Sequence, residues 1–315
     1  LAFGPSGDTS GVVKKENLIK EFDLTENTEI ITSKSQDVTG DGKEDTVFLT
    51  GNKVKGSNIF YDHLVVVVQS GSSYYKATYD QFSGYEPQLL IKDFSGDKVG
   101  DVMVKAATGG SGGIVNHLIA TFKDDQLQVI FDKQTNQGVS VTGQFLPDFK
   151  AKLEFEELNQ ETIIDLSFNK EKYIRERIYN QAGQLVKRML IRPYSYPFAK
   201  LEVIDYNNDG TYELKGYQRV VGAYGADDIS KLESIWSYQG QKWQLRELMY
   251  SNYLLKYKPQ FNTEVGILGT IKEITTTDNG TYVLVEGKSL GASVYNKIRL
   301  VVTEKTKLLE KSKNY

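Results

Sequence analysis

The chain has 315 residues, with 38 Lys+Arg against 41 Asp+Glu, no Cys and two His. The missing cysteines exclude a disulfide scaffold, a thiol nucleophile and thiolate metal sites, and two His are too few for a multi-His zinc or iron centre. The near-neutral balance argues against a nucleic-acid binder held by charge, and no apolar run approaches the roughly 18 residues of a membrane span.

The chain begins at Leu1 rather than Met, which reads as a segment removed either by a processing enzyme or in the design of the expressed chain. With the Cys-free, Tyr- and Gly-rich composition, this sets the expectation of an exported protein, extracellular or on the cell surface.

Residues 1–28 form an N-terminal segment whose clearest helix lies near Lys14–Phe22, with Val13, Leu18, Ile19 and Phe22 as an apolar stripe. From Glu29 onward the pattern is β. Alternating or β-branched runs recur at Thr46–Leu49, His63–Val68, Tyr74–Tyr79 and Gln88–Ile91. They continue at Asp101–Lys105, His117–Phe122, Leu127–Phe131, Leu153–Phe155, Thr162–Ser167, Tyr173–Tyr179, Leu185–Ile191 and Leu201–Ile204. The last set is Glu213–Val220, Leu232–Tyr238 and Trp243–Met249.

Three segments share one acidic pattern: Asp37–Asp45, Asp93–Asp101 and Asp205–Glu213. Acids occupy positions 1, 5 and 9, and Thr39, Ser95 or Asn207 stands at position 3. Asp93 lies 56 residues after Asp37, and Asp205 lies 112 after Asp93. A degenerate copy with Lys in place of the ligands falls at Pro147–Lys152. Asp62-His63-Leu64-Val65 and Asn116-His117-Leu118-Ile119 mark the same register.

A repeat of this length holding about four short strands reads as one propeller blade. The expectation is an all-β fold: a four-bladed β-propeller over residues 29–257, with strand Glu29–Ser35 completing the last blade and closing the ring. A fifth blade or an open array are the alternatives. Lys258–Asn262 reads as a linker, and 258–315 as a small C-terminal β-barrel or sheet with a turn at Asp278-Asn279-Gly280.

Oxygens at positions 1, 3, 5 and 9, with the backbone carbonyl of position 7, suit a hard cation. The expected ligands for up to three structural Ca2+ ions are Asp37, Thr39, Asp41, Lys43 and Asp45; Asp93, Ser95, Asp97, Val99 and Asp101; and Asp205, Asn207, Asp209, Thr211 and Glu213. Lys43, Val99 and Thr211 enter through their carbonyls. Gly42 and Gly210 occupy position 6, where the turn favours positive φ, and Lys98 stands there in the second loop.

The acid at position 9, with strands on both sides, resembles the calcium loop of the FG-GAP/VCBS repeats of integrin-alpha-type β-propellers, over roughly residues 30–250. That resemblance implies a calcium-bearing propeller, an extracellular setting, and loops that join the last strand of one blade to the first of the next. It implies no single activity.

Other candidates read as structural first. Gly109–Gly113 matches Gly-x-Ser-x-Gly but lies between two strands rather than on a strand-to-helix elbow. His63 and His117 read as a repeat-equivalent packing pair, with a ligand site as the alternative. Tyr194, Tyr196 and Tyr224 are the tyrosines placed on loops, where rings stack on sugars or grip a protein. Asp227-Asp228 and the patch of Lys187, Arg188 and Arg192 read as solvated faces.

The functional expectation is a non-catalytic binding or adhesion module for a protein or glycan at the bacterial cell surface, with no nucleic acid and no membrane span. A polysaccharide lyase or glycosidase on the same scaffold, or a structural part of an envelope complex, are the alternatives.

Overall fold

The computed structural model describes residue 25 and residues 27–57, 59–110, 112–186, 192–254, 270–277, 280–286 and 297–301. The helix expected at Lys14–Phe22, the linker at Lys258–Asn262, Ser111, the Asp278-Asn279 turn and the Lys187-Arg188 pair lie outside those residues. The chain divides into two compact units, Leu1–Lys256 and Tyr257–Tyr315.

The first unit is all-β apart from short turns of helix. Its first sheet contains β1 (Thr28–Gln36), β2 (Asp45–Lys53), β3 (Phe60–Ser70), β4 (Ser73–Ala77), β5 (Gly84–Lys92), β6 (Asp101–Ala107), β7 (Val115–Thr121) and β8 (Gln128–Phe131). The strands run in the order β1-β2-β3-β5-β6-β7-β8, with β4 pairing with β3. Val47, Leu49, Leu64, Val66, Val102, Val104, Leu118 and Ala120 form its core. Met103 and Ile119, on the opposite face of β6 and β7, are buried as well. Strands buried on both faces read as continuous apolar runs, which explains Val65–Val68.

The second sheet runs β11 (Gln160–Asp165), β10 (Lys150–Phe155), β9 (Val141–Leu146), β12 (Tyr194–Ser195), β14 (Glu213–Val221), β15 (Asp228–Gln239) and β16 (Lys242–Asn252). β13 (Lys200–Ile204) pairs with β14. This sheet curls until its outer strands face each other. The Tyr250 hydroxyl of β16 lies 2.9 Å from that of Thr162 on β11, and its ring packs 5.8 Å from Phe155. That is a nearly closed barrel with a side-chain seam in place of a last ladder.

The two sheets meet through Phe94, Met103, Ile119 and Phe131 on one side and Phe198, Leu201 and Leu214 on the other. The Val115 amide donates to the Phe198 carbonyl at 3.0 Å, and the Trp243 indole to the Ile130 carbonyl at 2.8 Å.

Three expectations need correcting. Strand Glu29–Ser35 pairs with β2 rather than completing the last set. The acidic loops do not pass between sets: each closes an antiparallel hairpin, with Gln36 opposite Asp45, Lys92 opposite Asp101 and Ile204 opposite Glu213. The degenerate copy at Pro147–Phe149 sits in the same place, between β9 and β10, with Leu146 opposite Lys150. Four meanders therefore begin one strand earlier than the repeat count implied, and they join into two eight-stranded sheets rather than four separate blades. Tyr173–Tyr179 is no strand: helix α1 covers Lys170–Arg175, built from good helix formers and anchored by the fully buried Tyr173.

The second unit holds one antiparallel sheet, β17 (Thr270–Thr277), β18 (Gly280–Glu286) and β19 (Lys297–Val301), in that order.

Candidate functional site

The three acidic loops are alike in detail. The position-1 carboxylate accepts amides across the turn: Asp37 from Gly40 and Gly42 at 2.6 and 2.9 Å, Asp93 from Gly96 and Lys98 at 2.6 and 2.8 Å, and Asp205 from Asp209 and Gly210 at 3.0 and 3.2 Å. The position-5 carboxylate accepts the amide two residues on, from Lys43, Val99 or Thr211. The buried acid at position 9 reaches back to the loop's start. Asp45 takes the Val38 and Thr39 amides, Asp101 those of Phe94 and Ser95, and Glu213 that of Tyr206. Side-chain oxygens thus replace the backbone partners that a turn lacks.

The remaining expected ligands have other surroundings. The Thr39 hydroxyl donates to Asp45, and Ser95 Oγ lies 3.5 Å from Asp93. Asn207 is exposed. Lys43 pairs with Asp41 at 3.2 Å; its amide, then its ammonium, hold that carboxyl below the usual range. Lys123 pairs with Asp97 at 3.4 Å. Among the described residues no three Asp, Glu or His side chains come together to hold a metal ion. The carboxylates expected to bind Ca2+ lie within their own loops, each accepting amides of its own turn.

Position 6 is left-handed in every copy, at φ 83 for Gly42, 68 for Lys98 and 88 for Gly210. Asp101 departs from its counterparts. Its Oδ1 is buried with no partner, and burial pushes its carboxyl up to about 6. The loops are neighbours: Val99 lies against Gly40, and the Tyr212 amide donates to the Asp93 carbonyl at 2.7 Å.

The repeat-equivalent histidines diverge. β3 is bulged, with Thr50 opposite Val65 and Asn52 opposite Asp62, so His63 and Leu64 share the place facing Gly51. His63 takes φ 48 and turns into solvent, 3.2 Å from the Asp62 carboxylate. His117 sits in regular pairing opposite Lys105 and is fully buried. Its Nδ1 lies 2.8 Å from Asn136 Oδ1. The Asn136 amide nitrogen donates to the Val115 carbonyl at 2.9 Å, which leaves Oδ1 as the acceptor and makes His117 Nδ1 the donor. Nε2 is then a bare acceptor, and it is buried with no partner. Burial pushes the imidazole down to about 4, so it is neutral at pH 7.

His117 forms part of the wall of an open cleft of about 180 Å3 at the mouth of the junction between the two sheets. Two rows of cross-strand neighbours make one face: Gln88, Lys105 and His117, and Tyr85, Ala107 and Val115. Lys200 and Leu201 of β13 supply another wall. β5 is bulged at Glu86 and Pro87, where the register shifts between Tyr85 and Gln88. Glu86 takes φ 45, and its amide donates to the Ile59 carbonyl at 2.7 Å. Phe60 holds the Tyr85 ring edge-on at 4.7 Å, and a Cβ at Gly109 would meet that ring at 2.3 Å. Lys105 has no ion pair among the described residues, whereas Lys200 pairs with Glu202.

Of the tyrosines expected on loops, Tyr194 lies in strand β12, paired with Thr142 and Val221; it packs edge to face with Tyr196 at 5.4 Å, and Arg219 lies over Tyr196 at 5.3 Å while donating to the Gly225 carbonyl. Tyr224 lies under Lys172 at 4.4 Å. None of the three shares a hydrogen bond or ring contact with His63 or His117 among the described residues. Asp227 is no solvated acid. It is buried and accepts from the Tyr173 hydroxyl at 2.9 Å and the Ala223 amide at 2.9 Å.

The cleft escaped the sequence reading because its residues come from four strands. One signal was available: Pro87 interrupts a strand run, and in sheets proline is confined to edges and bulges.

Residues 139–254 match the YybI C-terminal domain family. Over 216 residues the chain is 34% identical to the Uncharacterized protein YybI of Bacillus subtilis (strain 168), covering 68% of this chain and 81% of that protein. No solved structure matches. These matches overturn the FG-GAP/VCBS resemblance: the shared acidic loop is a local solution to closing a hairpin, and the wider sequence follows a different family.

Proposed function

The chain belongs to the YybI family, and on that footing we propose that it is a non-catalytic binding module, exported and acting on a protein or glycan ligand at the cell surface. The observation that carries this reading is the cleft at the junction of the sheets: an aromatic edge, two lysines and a buried imidazole around a small apolar floor. Binding sites combine concave apolar surface with a few placed polar groups in this way. Bulges beside functional sites re-aim side chains, and the Glu86 bulge does so at the rim.

A glycosidase needs two facing carboxylates. The cleft offers one, Glu86, so the hydrolytic alternative has less to stand on. Binding to cell-wall fractions and to a glycan array, assayed together with product release, tests the reading. Retention without turnover supports it. Release of product, or no retention on either surface, would sink it. Export is tested by fractionating cells that express the full-length gene.

A further inference from the structure

We propose that His117 is an acid-released latch: when its imidazole takes up a proton, the joint between the two sheets opens as a step short of unfolding.

The latch closes on one residue of the connector. Asn136 lies between β8 of the first sheet and β9 of the second. Its Oδ1 accepts from His117 Nδ1 at 2.8 Å, its amide nitrogen donates to the Val115 carbonyl at 2.9 Å, and its own carbonyl accepts the Phe198 amide at 3.1 Å. The Val115 amide donates to the Phe198 carbonyl at 3.0 Å. Four hydrogen bonds thus tie β7, the connector and the segment before β13 together, and the imidazole orients the side chain at their centre. From the other side, Gln218 of β14 holds the next turn, accepting the Val139 amide at 2.8 Å and donating to the Gln137 carbonyl at 2.9 Å. Gln218 does not titrate, so only one of the two clamps on the connector responds to acid.

That clamp holds the neutral ring. With Nδ1 donating to Asn136, a second proton goes to Nε2, which is buried with no partner. The new N–H would be orphaned and its charge enclosed. The surroundings give no relief. Lys105, directly opposite on β6, opposes a second positive charge. Tyr85 and Glu86 of β5 are exposed at the rim of the cleft, and Lys200 of β13 is committed to Glu202. On the connector, Asp132 accepts the Thr135 amide and hydroxyl, and Lys133 donates to Gln81. Phe131 of β8 offers a ring at 6.2 Å, and the Val115 carbonyl is already taken by Asn136.

Opening the joint hydrates the ring and restores its ordinary affinity for protons, so acid favours the open form. The window runs from 6.5, where a free imidazole titrates, down to about 4, where burial places the closed one. Each sheet keeps a core of its own away from the joint, so both stay whole when it parts.

The test uses the two Trp of the chain. The Trp243 indole donates across the joint to the Ile130 carbonyl, whereas the Trp236 indole donates to Ser234 within the second sheet. Hydrogen exchange of both indoles in the full chain, corrected for the intrinsic rate, is followed from neutral pH to about pH 4, with the imidazole 15N signals recorded alongside. The expected result is an acceleration of about a hundredfold at Trp243, an unchanged Trp236, and proton uptake at His117 over the same range. His117→Asn keeps an N–H for Asn136 and does not titrate, so the acceleration should vanish. Asp101 is common to both chains and cancels in that comparison.

Equal acceleration of the two indoles would mean that the fold fails as a whole. Proton uptake at His117 with Trp243 unmoved would mean that the closed joint tolerates the charge. Acceleration that persists in His117→Asn would place the trigger elsewhere. Each of these overturns the latch. Where His117→Asn does not fold, the two indoles and the imidazole signal of the wild-type chain decide alone. The latch needs no ligand, so it stands or falls apart from the binding-module reading.

Discussion

The acidic loops and the cleft use their polar groups in opposite ways. Each loop carboxylate is committed to amides a few residues away, so a pattern that stands out in the sequence ends as local closure. The cleft holds what the fold leaves unspent: a lysine without an ion pair and an imidazole nitrogen without a donor. Conspicuous spacing marks where the chain must satisfy itself. Polar groups without local partners collect where strands far apart in sequence come together.

The largest effect that tests this contrast is at Asp45. Asp45→Ala orphans the buried Val38 and Thr39 amides and should cost about 4 kcal/mol, two unsatisfied buried groups' worth. Urea unfolding should show the same loss in calcium and in chelator. A loss seen only with calcium present would mean that the loops are held by an ion, and the comparison would fail.

The next largest is a pair of opposed pH effects. In the fold His117 stays neutral down to about 4, while the unfolded chain protonates it near 6.5, so stability falls as pH drops through that window. Asp101 holds its proton up to about 6 against an ordinary 3.8, so its contribution is lost as pH rises over 3.8 to 6. Each is worth about 3 kcal/mol and the two offset. Asp101→Asn should expose the acid loss due to His117, and His117→Phe should leave the reverse slope. Unfolding at pH 4.5 and 6.5 reads both. Parallel slopes in the two variants would contradict the assignment.

Asp227 extends the contrast to a buried acid satisfied mainly by side chains. Tyr173→Phe removes its hydroxyl partner and should cost about 2 kcal/mol, with the smaller loss expected if Asn169 and the Ala223 amide make up the difference. Last, Lys98→Gly relieves a left-handed lysine and should gain about 1 kcal/mol, whereas Gly42→Lys should lose a similar amount. Identical unfolding midpoints for wild type and Lys98→Gly would show that no strain is stored at position 6.

Much of the β content was legible because alternation and apolar runs mark strands directly. The acidic loops and their even spacing were legible too. Pairing was not: a loop between two strands looks the same whether those strands pair with each other or belong to different sheets. Only register showed that Gln36 faces Asp45. Tyr173–Tyr179 misled because its aromatic and branched residues favour strands, while packing around Tyr173 decides for helix. The two His were readable as repeat partners, yet the bulge that sends His63 outward, where two residues of β3 face Gly51, shows only in the register of β2 and β3. The lysines of the cleft carried no signal, being ordinary surface residues on separate strands.

The bonds that fasten the three loops span at most seven residues. Such contacts form with little loss of chain entropy, so each acidic hairpin is a place where ordering can begin before distant strands meet. The slow steps are then the joins between meanders, above all β12 against β9 and β14, where a two-residue strand bridges segments more than fifty residues apart. A folding experiment would find the hairpin ends protected from solvent exchange first and the Tyr194–Ser195 bridge last, with the cleft, which needs both sheets in place, completed only when the chain is otherwise built.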